Sequence, residues 1–167
     1  YKNCIVLLNV GGVIDLTSLK AIEGVQAIML VGQTGNMGGY AVADVLTAKT
    51  IPSGKLTDTW AASYEDYPSS KNFSHNNGDT NDEYYSDGIY VGYRYFETFA
   101  PEKVMYEFGF GLSYTEFSME TVKAESTGNG KDAKIALSIR VKNTGAAAGK
   151  EAAQVYVCLL YTSPSPR

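Results

Sequence analysis

Two short apolar runs, each closed by glycine and each followed by a helix-forming stretch, constrain this chain more than any other feature of its sequence. Cys4 to Val10 (CIVLLNV) is almost continuously apolar and ends at Gly11-Gly12, the pattern of a strand buried on both faces. Asp15 is placed to cap a short helix, with Leu16, Leu19 and Ile22 at helical spacing and Gly24 to stop it. Ala27 to Val31 (AIMLV) reads as a second buried strand, again ending in glycine. The loop GQTGNMGG then leads into YAVADVLTAK, a helix with Ala41, Val42, Val45 and Leu46 on one side. Strand, helix, strand, helix at this spacing predicts an α/β unit with parallel strands.

Beyond this unit the pattern changes twice. Pro52-Ser53-Gly54 predicts a turn before KLTDTW, read as a short strand, and residues 63–87 form a polar stretch without periodicity. A connection of that length inside a compact domain is usually functional or disordered. GIYVGYRYF then alternates around aromatics, and VMYEFGFGLSYTEF closes the unit. Near Ser118 a second regime begins, in which METVKAES reads as a strand and Asn129-Gly130 as a turn. AKIALSIRVKN alternates with Ile135, Leu137, Ile139 and Val141 inward and Lys134, Ser138 and Arg140 outward. After the Asn143-Thr144-Gly145 turn, EAAQVYV is expected to start a further strand. Antiparallel alternation with regular turns predicts a β-sandwich, here cut off partway.

Composition excludes several classes of function. With a net charge of −4 and no basic stripe, nucleic acid is not an expected partner. Cys4 and Cys158 lie at opposite ends and suggest neither a disulfide framework nor a metal knuckle, and the single His75 has no Cys or His neighbours. No apolar run has the length of a membrane span. Gly35, Gly38 and Gly39 precede a helix but lack the Lys-Ser/Thr of a phosphate loop, so they read as a strand-to-helix turn. Nine of the 13 tyrosines crowd between Tyr64 and Tyr114, where most are expected to pack between layers. The start shows neither Met nor a signal pattern, so the chain is expected to begin within a longer protein, and cytoplasmic and secreted locations both stay open. From Cys158 the string CLLYTSPSPR breaks the pattern running up to Val157. It resembles an in-frame translation of a transposase-based sequencing adapter, the alternative being a Ser/Pro-rich linker.

Four phrases, in order along the chain, carry a resemblance. GGYAVADVLTAKTIPSGKLTDTW resembles a segment of family 3 glycoside hydrolases, and DGIYVGYRYFETF resembles that family's (E/D)GIYVGYRY(Y/F)(D/E) signature. YEFGFGLSYTEF resembles its PFG(Y/F)GLSYT signature, with Glu107 where proline is usual. IRVKNTGAAAGKEAAQVYV resembles the opening of the family's fibronectin type III-like domain. The resemblance implies a partial parallel-sheet α/β sandwich over residues 1–117 and a truncated fibronectin type III-like β-sandwich over 118–157; the adapter-like string predicts a non-native tail over 158–167.

The same resemblance implies a β-glucosidase-like exo-hydrolase of terminal β-linked sugars, working by double displacement without cofactor or metal. Retention needs two carboxyl groups about 5 Å apart. The family's nucleophilic Asp belongs to a barrel domain in an S-D-W-like context, and its acid/base Glu lies ahead of the point where this sequence starts. Neither is assigned here, so the catalytic set is empty and the barrel is a missing partner. A homo-oligomer is compatible with the sequence.

Among the carboxylates, Asp79, Asp82, Glu83 and Asp87 share the long loop with Tyr84 and Tyr85. Sugars are held by carboxylate hydrogen bonds and aromatic stacking, so Asp82, Glu83, Tyr84 and Tyr85 are the candidate substrate-binding residues; a solvated acidic loop is the plainer alternative. Asn72-Phe73-Ser74 matches a glycosylation sequon. A non-catalytic module presenting this loop to carbohydrate or protein is the rival function, and a flavodoxin-like cofactor domain the third.

Overall fold

The computed structural model describes residues 2–156; the tail from Cys158, set aside above as non-native, lies outside them. The chain divides into two compact units, one of residues 1–50 with 54–112, the other of residues 51–53 with those from Ser113 onward.

In the first unit, β1 (Cys4–Leu8) and β2 (Val25–Leu30) pair in parallel, with Ile5 opposite Ala27 and Leu8 opposite Leu30. A four-residue helix α1 (Thr17–Lys20) makes the crossover between them. Leu16, not Asp15, holds the N-cap position, and Asp15, one residue earlier, accepts from Thr17 N at 2.7 Å through Oδ1. Leu8, Leu16 and Trp60 form one core cluster, flanked by Val6, Leu19, Ile28 and Leu56. The expectation of strands buried on both faces needs correction. Burial alternates along β1, and Ile5, 56% exposed, lies with Leu7 on the face away from Trp60. With α1 and Trp60 on one side only, the apolar continuity of CIVLL exceeds what the described residues cover.

Helix α2 (Gly38–Leu46) follows the glycine turn. Gly38 is buried, and a Cβ there would stand 1.8 Å from Thr34 Oγ1, so its lack of a side chain is a packing requirement. Of the expected helix face, Val42 and Val45 are half-buried while Ala41 and Leu46 are exposed.

The KLTDTW strand shrinks to β3 (Trp60–Ala61), antiparallel to β4 (Val104–Tyr106). Leu56 bonds on its own, its N donating to Phe110 O and its O accepting from Gly109 N, both at 2.8 Å. The aromatic run GIYVGYRYF is not extended: Tyr93–Phe99 is helix α3, entered through Gly92 at φ +61°. Helical winding brings Phe96 and Ala100 onto one side, where with Ala61 they form a second core cluster against Tyr67, Tyr95 and Val104.

The second unit is built on a hairpin of β5 (Phe117–Thr127) and β6 (Lys134–Asn143). Thr121 pairs with Ile139 and Lys123 with Ser138, leaving Val122 as an extra residue. This bulge shifts the alternation by one, so Phe117, Met119 and Thr121 share a face with Ala124 and Ser126. That face also carries Val141, Ile139, Leu137 and Ile135, while Glu120 and Arg140 make a 2.9 Å ion pair on the other. The predicted alternation of β6 is present, but the predicted interior is not: Ile139 is half-buried, and Ile135, Leu137 and Val141 are exposed, this sheet having two strands among the described residues. The strand expected over EAAQVYV is likewise absent from residues 151–156, which have no ladder partner among the described residues; Val157 lies outside them.

Candidate functional site

The polar stretch after β3 is ordered by its own hydrogen bonds. Ser63 N donates to Asp66 Oδ2 at 3.0 Å at the start of a short 3-10 turn (Tyr64–Asp66), and Lys103 Nζ pairs with Asp66 Oδ1 at 2.9 Å. That hydrogen bond and charge hold the Lys103 ammonium above its ordinary pKa. Tyr67 sets the next anchor. Its hydroxyl donates to Thr59 O at 3.0 Å and accepts from Ala61 N at 2.8 Å, while its ring meets Phe96 edge-on at 5.5 Å. Burial pushes the Tyr67 hydroxyl pKa up.

Beyond Ser70 the loop doubles back on a strained turn. Ser74 and His75, neither a glycine, both take left-handed backbone angles at φ +53° and +65°. Side chains hold them there. Glu83 Oε1 accepts from Ser74 N at 3.0 Å, Glu83 Oε2 lies 3.6 Å from His75 Nδ1, and His75 Nδ1 lies 2.7 Å from Asp79 O. Asn72 Nδ2 clasps the returning chain, donating to Tyr84 O at 2.9 Å and Ser86 Oγ at 3.3 Å. Asn76 Nδ2 reaches Ser70 O at 2.9 Å and Tyr64 Oη at 3.1 Å.

The candidate binding residues are therefore distributed unequally. Glu83 is turned into the loop as a staple for the left-handed turn. Asp82 is exposed, its N donating to Asp79 Oδ1 at 3.2 Å. Tyr84 is exposed but held through its carbonyl, and Tyr85 projects furthest, at 96% exposure. Asp87 is half-buried at the foot of the loop, with Oδ1 unpartnered among the described residues. Among those residues no cluster of His, Cys, Asp or Glu has the arrangement to hold a metal, and no helix is long and apolar enough to cross a membrane.

Against this loop lies a cavity of about 280 Å³, which local sequence gave no means of finding. One wall is Val13, Ile14 and Asp15, from the turn after β1; the other is Tyr64, Tyr67 and Phe73, with Ser63 and Ser70 between. The two walls lie some fifty residues apart in the chain, joined where Thr17 Oγ1 donates to Ala62 O at 2.9 Å. The backbone N–H of Thr17 holds the Asp15 carboxyl below the usual carboxylate range, and the Ser63 hydroxyl does the same for Glu65. Asp15 thus gives the lining one carboxylate that is ionised at neutral pH.

Comparison with known proteins fixes the setting of this geometry. Residues 1–93 match the glycosyl hydrolase family 3 C-terminal domain. The chain belongs to glycosyl hydrolase family 3. It is 44% identical to β-glucosidase A of Butyrivibrio fibrisolvens over 98% of its own length and 20% of that protein's. It is 43% identical to a β-glucosidase of Ruminococcus albus over 94% of this chain and 16% of the other. In structure it superposes on a β-glucosidase of Paenibacillus barengoltzii with a TM-score of 0.79 at 44% identity, over 87% of this chain and 16% of that one. This family 3 chain spans about a fifth or less of these relatives.

Proposed function

We propose that the chain is a supporting part of a retaining, β-glucosidase-like exo-hydrolase of terminal β-linked sugars. In this reading the first unit is the end of the family's α/β sandwich and the hairpin is the start of a fibronectin type III-like domain. The observation that carries it is the 44% identity to a β-glucosidase over nearly the whole chain and only a fifth of that enzyme. The catalytic carboxylates are then supplied by segments outside this sequence, including a barrel domain. Accordingly, the isolated 167-residue chain is expected to leave aryl β-glucosides uncleaved. Turnover by the purified chain, abolished by changing one of its own carboxylates, would refute this assignment.

The tyrosine loop is the part of the chain assigned to substrate. Tyr84 and Tyr85 stack on a sugar ring beyond the cleaved bond, and Asp82 accepts from its hydroxyls; Glu83 joins them in the binding set chiefly by fixing the turn behind. In the full-length enzyme, Tyr84→Ala and Tyr85→Ala are each expected to cost about 1–3 kcal/mol in kcat/KM, the scale of one large side chain's burial. The loss falls mainly on a disaccharide and little on an aryl glucoside. Wild-type kcat/KM on both substrates in both variants rules out a role for the loop in recognition.

A further inference from the structure

The cavity between the Val13–Asp15 turn and the loop has the chemistry of a site. Tyr64 and Phe73, which stay accessible, line it together with Asp15. The wall is fixed before any ligand arrives. Tyr64 Oη donates to Ser70 O at 3.3 Å and accepts from Asn76, and Phe73 N donates to Ser69 O at 2.8 Å. The Tyr64 ring, tied by its own hydroxyl, loses little freedom on binding, which favours affinity for a small ligand.

Charge narrows the ligand class. None of the lining side chains is cationic, and the nearby Lys103 is committed to Asp66. An anionic group, such as a phosphate or carboxylate, would face Asp15 with no cationic side chain in the lining. A cavity of about 280 Å³ is at the small end of ligand sites and admits roughly one substituted six-membered ring. A pyranose offers what these walls match: a C–H face for the aromatic rings and a rim of hydroxyl donors for a carboxylate.

We infer that this cavity binds one pyranose ring of a β-linked oligosaccharide, with Tyr64 and Phe73 against its C–H face and Asp15 accepting from its hydroxyls. The β-linkage rests on the proposed function above; the pyranose class rests on the walls alone. The loop gives the site a connection to the tyrosine tip, because Asn72, which clasps Tyr84 O, immediately precedes Phe73.

Saturation-transfer NMR on this chain, titrated with cellobiose and with methyl β-glucoside, tests the assignment. Tetramethylammonium serves as a competing probe for a cation site. Saturable transfer to the C–H protons of one glucosyl ring is expected. Phe73→Ala and Asp15→Asn should each raise Kd about tenfold, the effect of one lost stacking or charged hydrogen-bond contact, while Met119→Ala, on the exposed face of the hairpin, leaves it unchanged. Thermal midpoints of the variants are read alongside; Asp15→Asn keeps an acceptor for Thr17 N and so decides the matter if Phe73→Ala fails to fold. No transfer, an unchanged Kd in the folded variants, or displacement of sugar by tetramethylammonium at lower concentration overturns the proposal. The full-length enzyme separates the two readings. Hydrolysis of an aryl β-glucoside alongside unaltered binding by the cavity variants sinks the cavity alone. Pyranose binding by a parent that cleaves no β-glucoside sinks the functional reading and leaves the cavity standing.

Discussion

Phe96→Ala is expected to destabilise the first unit by about 3–5 kcal/mol, the range for removing a buried phenylalanine ring. Phe96 is the most buried large side chain described, at 1% exposure. Its ring is met edge-on by Tyr67 at 5.5 Å and by Tyr95 at 5.3 Å, and Ala61, Ala100 and Val104 complete its surroundings. The cost depends on whether neighbours move into the space. Tyr67 is the neighbour best placed to do so, but two hydrogen bonds pin its hydroxyl to Thr59 and Ala61, so the cavity persists and the upper half of the range applies. Since each kcal/mol lowers the midpoint by roughly 4–8 °C in a domain near this size, the variant should melt well over ten degrees lower. Urea unfolding followed by circular dichroism gives the free energy directly. Phe96→Leu should restore more than half of the loss, and a cost under about 1 kcal/mol for the alanine variant would contradict the packing described.

The second large effect is expected at Gly111. A Cβ there would sit 2.3 Å from Gly54 O and 3.0 Å from Lys55 Cδ. The obstacle is backbone, and that backbone is tied: Leu56 N bonds Phe110 O at 2.8 Å, and Lys55 Nζ donates to Gly111 O at 2.8 Å. A methyl group must therefore push the chain away from contacts that fix it from both sides. Gly111→Ala should cost about 3 kcal/mol, the upper end of ordinary overpacking. Gly39, in the first turn of α2, supplies the contrast, because nothing lies within 4 Å of its added Cβ. Gly39→Ala should be neutral or stabilising by about 0.4–1 kcal/mol through the unfolded chain. Equal losses at the two glycines would show that close approach is not what Gly111 provides.

These two positions also mark how far the sequence alone could be read. The β1–α1–β2–α2 order follows from apolar runs and glycine stops, because both signals are local. The glycine-aromatic run through Gly111 could be read as a tight joint, but its partner at Gly54 lies over fifty residues away and leaves no local trace. Helix α3 was hidden because Tyr93, Tyr95, Phe96 and Phe99 suit a strand as well as a helix in so short a run. Only the placement of Phe96 against Tyr67 decides between them. The loop's residue types were legible as a site, but their division of labour was not. Glu83 turns inward because two left-handed residues, Ser74 and His75, need a fixed acceptor, and no pattern announces such a turn without glycine. Asp15 was legible as a group at the helix start, where it accepts from Thr17 N although Leu16 holds the cap position; that the same residue lines a cavity with Tyr64 depends on the fold.

The bulge at Val122 has a consequence for the chain in solution. By keeping Met119, Val141, Leu137 and Ile135 in one row it gathers apolar groups into a continuous stripe, with Ile135 64% exposed. A net charge of −4 spread over 167 residues gives weak mutual repulsion, and physiological salt screens it within about 8 Å. The colloidal behaviour of the isolated chain is then governed by this stripe and by the hairpin edges, which pair with no other strand among the described residues, not by its overall composition. Solubility engineering belongs on the hairpin: a lysine in place of Ile135 interrupts the stripe near the open end of the ladder, far along the strand from Asn143.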